Sequence, residues 1–360
     1  MPDSSTILVL LPYMYDTVPA QRFRWEQWIR LRSNAHDQVK ILSFETESLA
    51  QFRKSRQWLA IAAIYIARYL SYIVILLGQA RAADIVVIAR NAVLGGPPLI
   101  EALLFLLGKK VVYDFDDAIF LAPPNDKSWL RRLLRCDWRV AYICRHACLV
   151  GVGNEFLASF ARQYNPNVVI WPTTVDTDAL KPVERKDREF TVGWTGSLST
   201  VPYVESVLPA IAELQKSNDF RFLIVGGNLD LEAFGVRGQC KPWTPEAEVK
   251  LLQTMDIGLM PLNDTSWERG KCSLKAIQYQ SVGIPAIVSD VGMNCVAVRN
   301  GETGIVLEPG GNWKTAIQTL LIDTEMRKKM GIAARNHVLA NFSGKVVADR
   351  VFADITQFCA

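Results

Sequence analysis

Two cations, Arg269 and Lys271, stand two residues apart in the polar stretch Trp267-Glu268-Arg269-Gly270-Lys271-Cys272-Ser273. A helix-like run follows, closed by Gly283-Ile284-Pro285 ahead of the buried-strand pattern Ala286-Ile287-Val288-Ser289. The first turn of a helix carries unsatisfied N–H donors and a partial positive charge, so it suits an anion. Arginine offers a planar fork and lysine a point charge. The chemistry this predicts is the grip on a diphosphate. The plain alternative is an ordinary loop–helix–strand unit with solvated cations.

A second group is acidic. Val111-Val112-Tyr113-Asp114-Phe115-Asp116-Asp117 reads as a strand running into a turn with paired carboxylates. Asp116 and Asp117 suit a general base or a ligand for sugar hydroxyls. The alternative is N-capping of a helix, a role Asp favours. Gly151-Val152-Gly153-Asn154-Glu155-Phe156 lacks the third glycine of a dinucleotide fingerprint and is a weak match. Cys144-Arg145-His146-Ala147-Cys148 lacks a second ligand pair, so no metal is expected.

These groups need a frame. The 360 residues suggest about two domains, and half are hydrophobic, enough for two cores. A net charge of +4 does not point to nucleic acid. Basic residues cluster at Arg22, Arg24, Arg30 and Arg32, at Arg53, Lys54 and Arg56, and at Arg131, Arg132, Arg135, Arg139 and Arg145. Such clusters contact phosphate or lipid headgroups, or are solvated helix faces. Seven cysteines without framework spacing fit a reducing compartment. The run 7–12 is too short for a signal peptide and reads as a first strand. A cytoplasmic protein is expected.

Apolar runs at 7–11, 39–44, 85–89, 110–113, 148–152 and 168–171 alternate with helix-length segments. A second series follows at 191–194, 221–225, 257–260, 285–289 and 304–307. Alternation of this kind gives parallel sheets flanked by helices, here twice. The expected division is a domain over 1–172, a linker over 173–182 and a second domain over 183–335. A terminal helix over 336–360 is expected, able to pack back on the first domain. Ligands of such sheets bind outside the strands' carboxyl ends.

Residues 58–78 form a 21-residue apolar stretch with one charge, Arg68. Its length could span a bilayer, but a central arginine costs ~2.5–3.5 kcal/mol on insertion scales. Spanning would also carry the chain across the membrane in mid-domain. The preferred reading is a helix lying on a membrane surface through 53–81, with Trp58, Tyr65, Tyr69 and Tyr72 near the interface. Burial in the domain or at a dimer contact is the alternative.

Several segments together resemble the retaining glycosyltransferases of family 4, known also as glycosyl transferases group 1. They are the 267–290 unit, Phe190-Thr191-Val192-Gly193-Trp194-Thr195-Gly196-Ser197, Phe222-Leu223-Ile224-Val225-Gly226-Gly227, Met255-Asp256-Ile257-Gly258-Leu259-Met260-Pro261 and Gly301-Glu302-Thr303-Gly304. The join Pro172-Thr173-Thr174-Val175-Asp176 resembles the family's interdomain linker. The resemblance implies an α/β protein of GT-B fold, two Rossmann-like doubly wound domains facing across a cleft. It covers most of 190–310 and the first 180 residues more loosely.

The resemblance also implies roles. Gln278 occupies the position of the glutamate that bonds the nucleotide's ribose, and Gly270 that of the family's first glutamate, with Glu268 two residues before it. Gln can still bond a hydroxyl, without the charge. The family's Arg and Lys after the first donor-domain strand are replaced by Ser197-Leu198-Ser199-Thr200. Gly196 and Ser197 would cradle the diphosphate, and Arg269 and Lys271 would neutralise it. Gly226 and Trp243 fall near the nucleoside, where Trp243 either stacks on the base or packs. Asp116 or Asp117 would take the place of a histidine that contacts the transferred sugar. Arg22 and Arg24 lie in the acceptor-side loop and could hold an anionic acceptor.

The function expected is transfer of a sugar from a nucleotide-sugar to an acceptor hydroxyl, retaining and metal-independent. No cofactor is expected beyond this substrate. The acceptor would be a glycan or lipid-linked molecule, and the enzyme peripheral at the membrane's inner face. The altered motif leaves two alternatives: a non-catalytic nucleotide- or carbohydrate-binding scaffold, and a nucleotide-sugar epimerase.

Overall fold

A computed structural model describes residues 5–33, 37–53, 58–122, 136–184 and 189–359. Lys54, Arg56, Arg131, Arg132 and Arg135 lie outside the described residues, as do the side chains of Arg53 and Trp58. The chain forms two compact units, 1–173 with 344–360, and 174–343.

The first unit holds a parallel sheet of β1 (Thr6–Leu11), β2 (Gln38–Ser43), β3 (Ile85–Ala89), β4 (Lys110–Phe115), β5 (Leu149–Val152) and β6 (Val168–Ile170). Its order is β2-β1-β3-β4-β5-β6, so the chain reverses direction between β1 and β3. Ile7 pairs with Val39 on one side and Ile85 on the other. Inner strands covered on both faces read as unbroken apolar runs, and β3 (Ile-Val-Val-Ile-Ala) is buried throughout. The edge strand β2 is less buried, and exposed Gln38 and Lys40 interrupt its apolar positions.

Three indoles build the core over this sheet. Trp25, Trp28 and Trp171 meet edge-to-face at 5.5–6.2 Å between ring centroids. A side chain at Gly151 would strike the Trp171 ring at 2.0 Å, so β5 needs glycine there. The C-terminal helix Gly344–Cys359 packs Val347, Val351 and Ile355 into the same core. Trp171 Nε1 donates to Asp354 at 2.8 Å, and a disulfide joins Cys148 to Cys359. That pairing departs from the expectation of unpaired thiols. The two cysteines lie 211 residues apart, so no sequence spacing announces them.

The apolar segment is the helix Trp58–Ala82. Tyr72, Leu76 and Ala80 are buried, while Ile66, Leu70 and Val74 are exposed. The cation within it, Arg68, is bonded inside the unit. It donates to the carbonyls of Ser43 and Phe44, both at 2.7 Å, where β2 ends.

The second unit holds β7 (Thr191–Thr195), β8 (Arg221–Val225), β9 (Gly238–Lys241), β10 (Ile257–Met260), β11 (Ala286–Ser289) and β12 (Gly304–Leu307). All are parallel, in the order β12-β11-β10-β7-β8-β9. The chain reverses direction between β7 and β10. Strand β9 has no counterpart in the sequence reading. Gly-Gln-Cys-Lys is a four-residue edge strand with no apolar run.

Of the residues expected as a linker, 174–177 and 180 are buried within this unit, while 178, 179, 181 and 182 are exposed. Val175 N bonds Phe342 O at 3.0 Å, and Arg335 donates to the carbonyls of Thr177, Leu180 and Ser281, each at 2.7 Å. The helix Thr324–Asn341 passes through position 336 without a break, so the return to the first unit starts at Gly344.

Candidate functional site

In the second unit the switch between β7 and β10 brings two connections together, the turn after β7 and the loop after β10. Ligands of doubly wound sheets collect outside the carboxyl ends at such a point. The turn starts with Gly196, where a side chain would meet the Trp194 ring at 2.5 Å and Thr200 Oγ1 at 2.6 Å. Gly226, after β8, has φ +82°, and a Cβ there would lie 2.4 Å from Gly196 O. The two backbones touch, so both positions need glycine. Ser197 is exposed, and its Oγ lies 2.9 Å from Ser199 Oγ.

The loop after β10 is organised by Glu268. Thr265 caps the short helix Ser266–Arg269, and its hydroxyl donates to Glu268. Thr-x-x-Glu is the capping-box pattern. Tyr203, beyond the turn after β7, donates to the other carboxylate oxygen. Glu268 is 2% exposed and ties the two connections together. Expected at a catalytic position, it is seen bracing these two connections. A buried carboxylate bonded on both oxygens is held by the protein itself.

Arg269 was expected to grip the diphosphate. It is exposed and forms a bidentate pair with Asp264, at 2.6 and 2.9 Å. The carboxylate raises its pKa and neutralises its charge locally. Asp264, five residues earlier, was the legible signal. Lys271 is part-buried and lies close enough to Lys275 to lower that group's pKa.

The helix Leu274–Ser281 starts at Ser273, held at φ +58° with its Oγ 2.6 Å from Asn294 Oδ1. Its first amide to find a backbone carbonyl is Ile277, to Ser273 O at 3.1 Å, so the amides of 274, 275 and 276 lie ahead of the ladder. Tyr279 fixes the helix to the sheet: its hydroxyl donates to Leu259 O at 3.2 Å and accepts from Thr195 N at 2.8 Å.

Lys275, in the first turn, was missed by the sequence reading. Its Nζ lies 3.4 Å from Thr200 Oγ1 and 4.3 Å from the Trp194 ring centroid. Burial, aided by Lys271, pushes its pKa down to about 7. Position 275 precedes Gln278 by three residues, the spacing of one helix face, and that was the available signal.

Gln278 is buried and donates to Glu248 Oε1 at 2.9 Å. Trp243 Nε1 donates to the same oxygen at 3.0 Å. The Trp243 Cβ is 3.1 Å from where a Cβ of Gly226 would stand. Gly196, Gly226, Trp243, Glu248, Gln278 and Lys275 thus form one continuous patch. The carboxylate missing at 278 is present beside it, supplied by Glu248. That acid sits thirty residues away and reads in the sequence as an ordinary first-turn residue of the helix Pro245–Gln253.

The first unit has its own cluster outside the carboxyl ends of β3 and β4. Arg90 has φ +64°, a conformation uncommon for a side chain larger than glycine. It is pinned by its amide to Asp114 O at 2.7 Å and by Tyr113 Oη to its carbonyl at 3.0 Å. Its guanidinium lies 3.7 Å from Asp116 and 3.5 Å from Asp117. No helix starts within 116–122, so the capping alternative is not realised there. Arg90 was not anticipated.

Arg24, expected to hold an anionic acceptor, is an interior residue. It is 1% exposed, paired with Asp114 at 2.5 and 3.0 Å, bonded to Trp171 O at 2.7 Å and stacked on Trp28 at 4.5 Å. The partner lies ninety residues away, which hid the role. Arg22 is part-buried and pairs with Asp16 at 2.6 Å. Among the described residues, no group of three or more His, Cys, Asp or Glu is placed to hold a metal ion.

Residues 176–337 match the family model of glycosyl transferases group 1. The D-inositol 3-phosphate glycosyltransferase of Corynebacterium diphtheriae is 27% identical over 179 residues, 44% of this chain and 40% of that relative. The match thus spans about two fifths of the relative's length. Among solved structures, a glycosyltransferase from Rickettsia africae superposes with a TM-score of 0.69 at 14% identity, covering 99% of both chains. Anabaena Alr3699/HepE in complex with UDP and glucose superposes with a TM-score of 0.69 at 15% identity, covering 98% of this chain and 99% of that one. At such identities the superpositions speak for the fold. The chain has the GT-B fold, and over 176–337 it is similar to the glycosyl transferases group 1.

Proposed function

We propose that the protein is a glycosyltransferase that takes a nucleotide-sugar in its second unit and passes the sugar to an acceptor hydroxyl. The observation that carries this reading is the patch at the β7/β10 switch. Glu248, held by Gln278 and Trp243, is the ribose-binding carboxylate. Gly196 and Ser197, Lys271 and the leading amides of the Leu274–Ser281 helix receive the diphosphate. Positive charge fixed in advance at the leaving group stabilises the charge that develops as the glycosidic bond breaks. Asp116 and Asp117, oriented by Arg90, are the groups that meet sugar hydroxyls in the first unit. The transfer is retaining and needs no metal.

The acceptor is lipid-linked, and the exposed apolar side of the Trp58–Ala82 helix lies against the membrane that carries it. Ile66, Leu70 and Val74, four residues apart, form a single stripe on that helix. The name of the Corynebacterium relative makes D-inositol 3-phosphate a second acceptor to try.

The test is a panel of UDP-, GDP- and ADP-sugars incubated with lipid-linked and soluble acceptors, with and without EDTA. The reading expects acceptor-dependent release of nucleoside diphosphate, unchanged by EDTA, with the anomeric configuration kept. Conversion of donor without acceptor would identify an epimerase. Binding without turnover across the panel would identify a scaffold.

A further inference from the structure

Four arginines near the sheet ends have carboxylate partners. Arg22 has Asp16, Arg24 has Asp114, Arg90 has Asp116 and Asp117, and Arg269 has Asp264. Lys275 differs. Its one hydrogen-bond partner among the described residues is a hydroxyl, Thr200 Oγ1, and its other neighbour is the face of Trp194. A part-buried ammonium without a counterion is costly, and folds keep one when something else supplies the negative charge.

Its position says what that something is. Thr200 ends the Ser197-Leu198-Ser199-Thr200 turn, which carries no cation of its own. Lys275 reaches that turn from the opposite connection, over the ring against which Gly196 packs. It also stands in the first turn of its helix, among the amides that precede the ladder. We propose that Lys275 is the principal diphosphate-binding residue of this chain, delivered from the helix to a turn that lacks a cation. This rests on the reading of the second unit as a nucleoside-diphosphate site, and it transfers to Lys275 the role that local spacing suggested for Arg269.

Proton uptake accompanies such binding. The charged group acting on Lys275 is Lys271, from the preceding loop. From β7 and the turn after it, Trp194 and Thr200 stand beside Lys275. The loop's carboxylate, Glu268, is engaged by Tyr203 and Thr265. Burial and Lys271 both favour the neutral amine, so the free protein carries it in substantial fraction from about pH 7 upward. A diphosphate favours the ammonium. Binding at pH 8 therefore takes up a proton on Nζ.

The experiment is calorimetric titration of UDP, GDP, ADP and the matching nucleosides into the wild type, Lys275→Met and Lys275→Arg, at pH 8 in buffers of different ionisation enthalpy. For the diphosphate that binds, Lys275→Met is expected to lose about ten- to a hundredfold in affinity, the worth of a hydrogen bond to a charged group. Nucleoside affinity should change less than about twofold by the same reasoning, which shows that the variant is folded. Lys275→Arg should recover part of the loss, and the wild type alone should show uptake approaching one proton. If the wild type binds a diphosphate and Lys275→Met binds it equally well, the assignment of Lys275 is overturned while the site stands. If the wild type binds none of the three, the site reading itself falls.

Discussion

The carboxyl ends of the two sheets carry the same kinds of residue arranged to opposite effect. In the first unit the arginines are closed into ion pairs: Arg24 with Asp114 in the interior, Arg22 with Asp16, and Arg90 between Asp116 and Asp117. In the second unit the carboxylates are turned to other partners. Glu268 braces two connections and Glu248 holds Gln278 and Trp243, while among the described residues Lys275 has a hydroxyl and a ring as its bonded neighbours. The first arrangement presents carboxylate oxygens suited to hydroxyls, the second an amine without a carboxylate partner among the described residues, suited on the proposed reading to phosphate. On the proposed reading, the pairing of charges rather than location at a sheet end distinguishes the two sites.

The largest effect that would sharpen this contrast is in the interior. Arg24→Met leaves Asp114 buried without its charged partner, with the Trp25 indole N–H still donating to it, and should cost about 3–5 kcal/mol of stability. Urea unfolding would read it. A loss below about 1 kcal/mol, the range of an exposed ion pair, would mean that Arg24 is not the interior brace described.

Gly226→Ala comes next. Its Cβ would lie 2.4 Å from Gly196 O at a positive φ. Strain of that kind costs on the order of 1–3 kcal/mol, with loss of diphosphate binding as the Gly196 turn is displaced. Glu248→Gln should weaken nucleoside binding about tenfold, by removing the charge from one hydrogen bond. Uridine, guanosine and adenosine titrations would check it.

A pH series probes the unmatched cation without a ligand. The pKa of Lys275 is lowered in the fold, so between pH 7 and the ordinary lysine range the unfolded chain binds more protons there than the folded one. This residue's contribution therefore makes stability rise with pH across that window, and its full penalty is felt below pH 7. Lys275→Met should be more stable than the wild type at pH 7, with the gap narrowing toward pH 10. Parallel thermal-unfolding curves would contradict the account. The smallest effect is at Arg269: removing an exposed, solvent-screened pair should leave the unfolding midpoint and the diphosphate affinity nearly unchanged.

The elements were legible where both faces of a strand are buried, because such strands spell continuous apolar runs. The edge strand β9 was not, since an edge needs no such run. The loop before the Leu274–Ser281 helix was legible as an anion site from local spacing. Which cations have partners there was not, because Asp264 pairs with Arg269 and Thr200 meets Lys275 across seventy-five residues. Arg24 misled for the same reason. Its clustering with Arg22 suggested a surface patch, and only the fold brings Asp114 to it. Arg68 gave a signal of the other kind: one charge in an apolar helix looked like a cost of insertion and is a bond to the end of β2.

Hydrogen exchange with and without a saturating nucleoside diphosphate tests the comparison most directly. The account predicts slowed exchange at 195–200 and 271–278 in the second unit, with 90 and 114–118 of the first unit unchanged. Protection confined to the first unit's cluster, with none at the Lys275 helix, would contradict it.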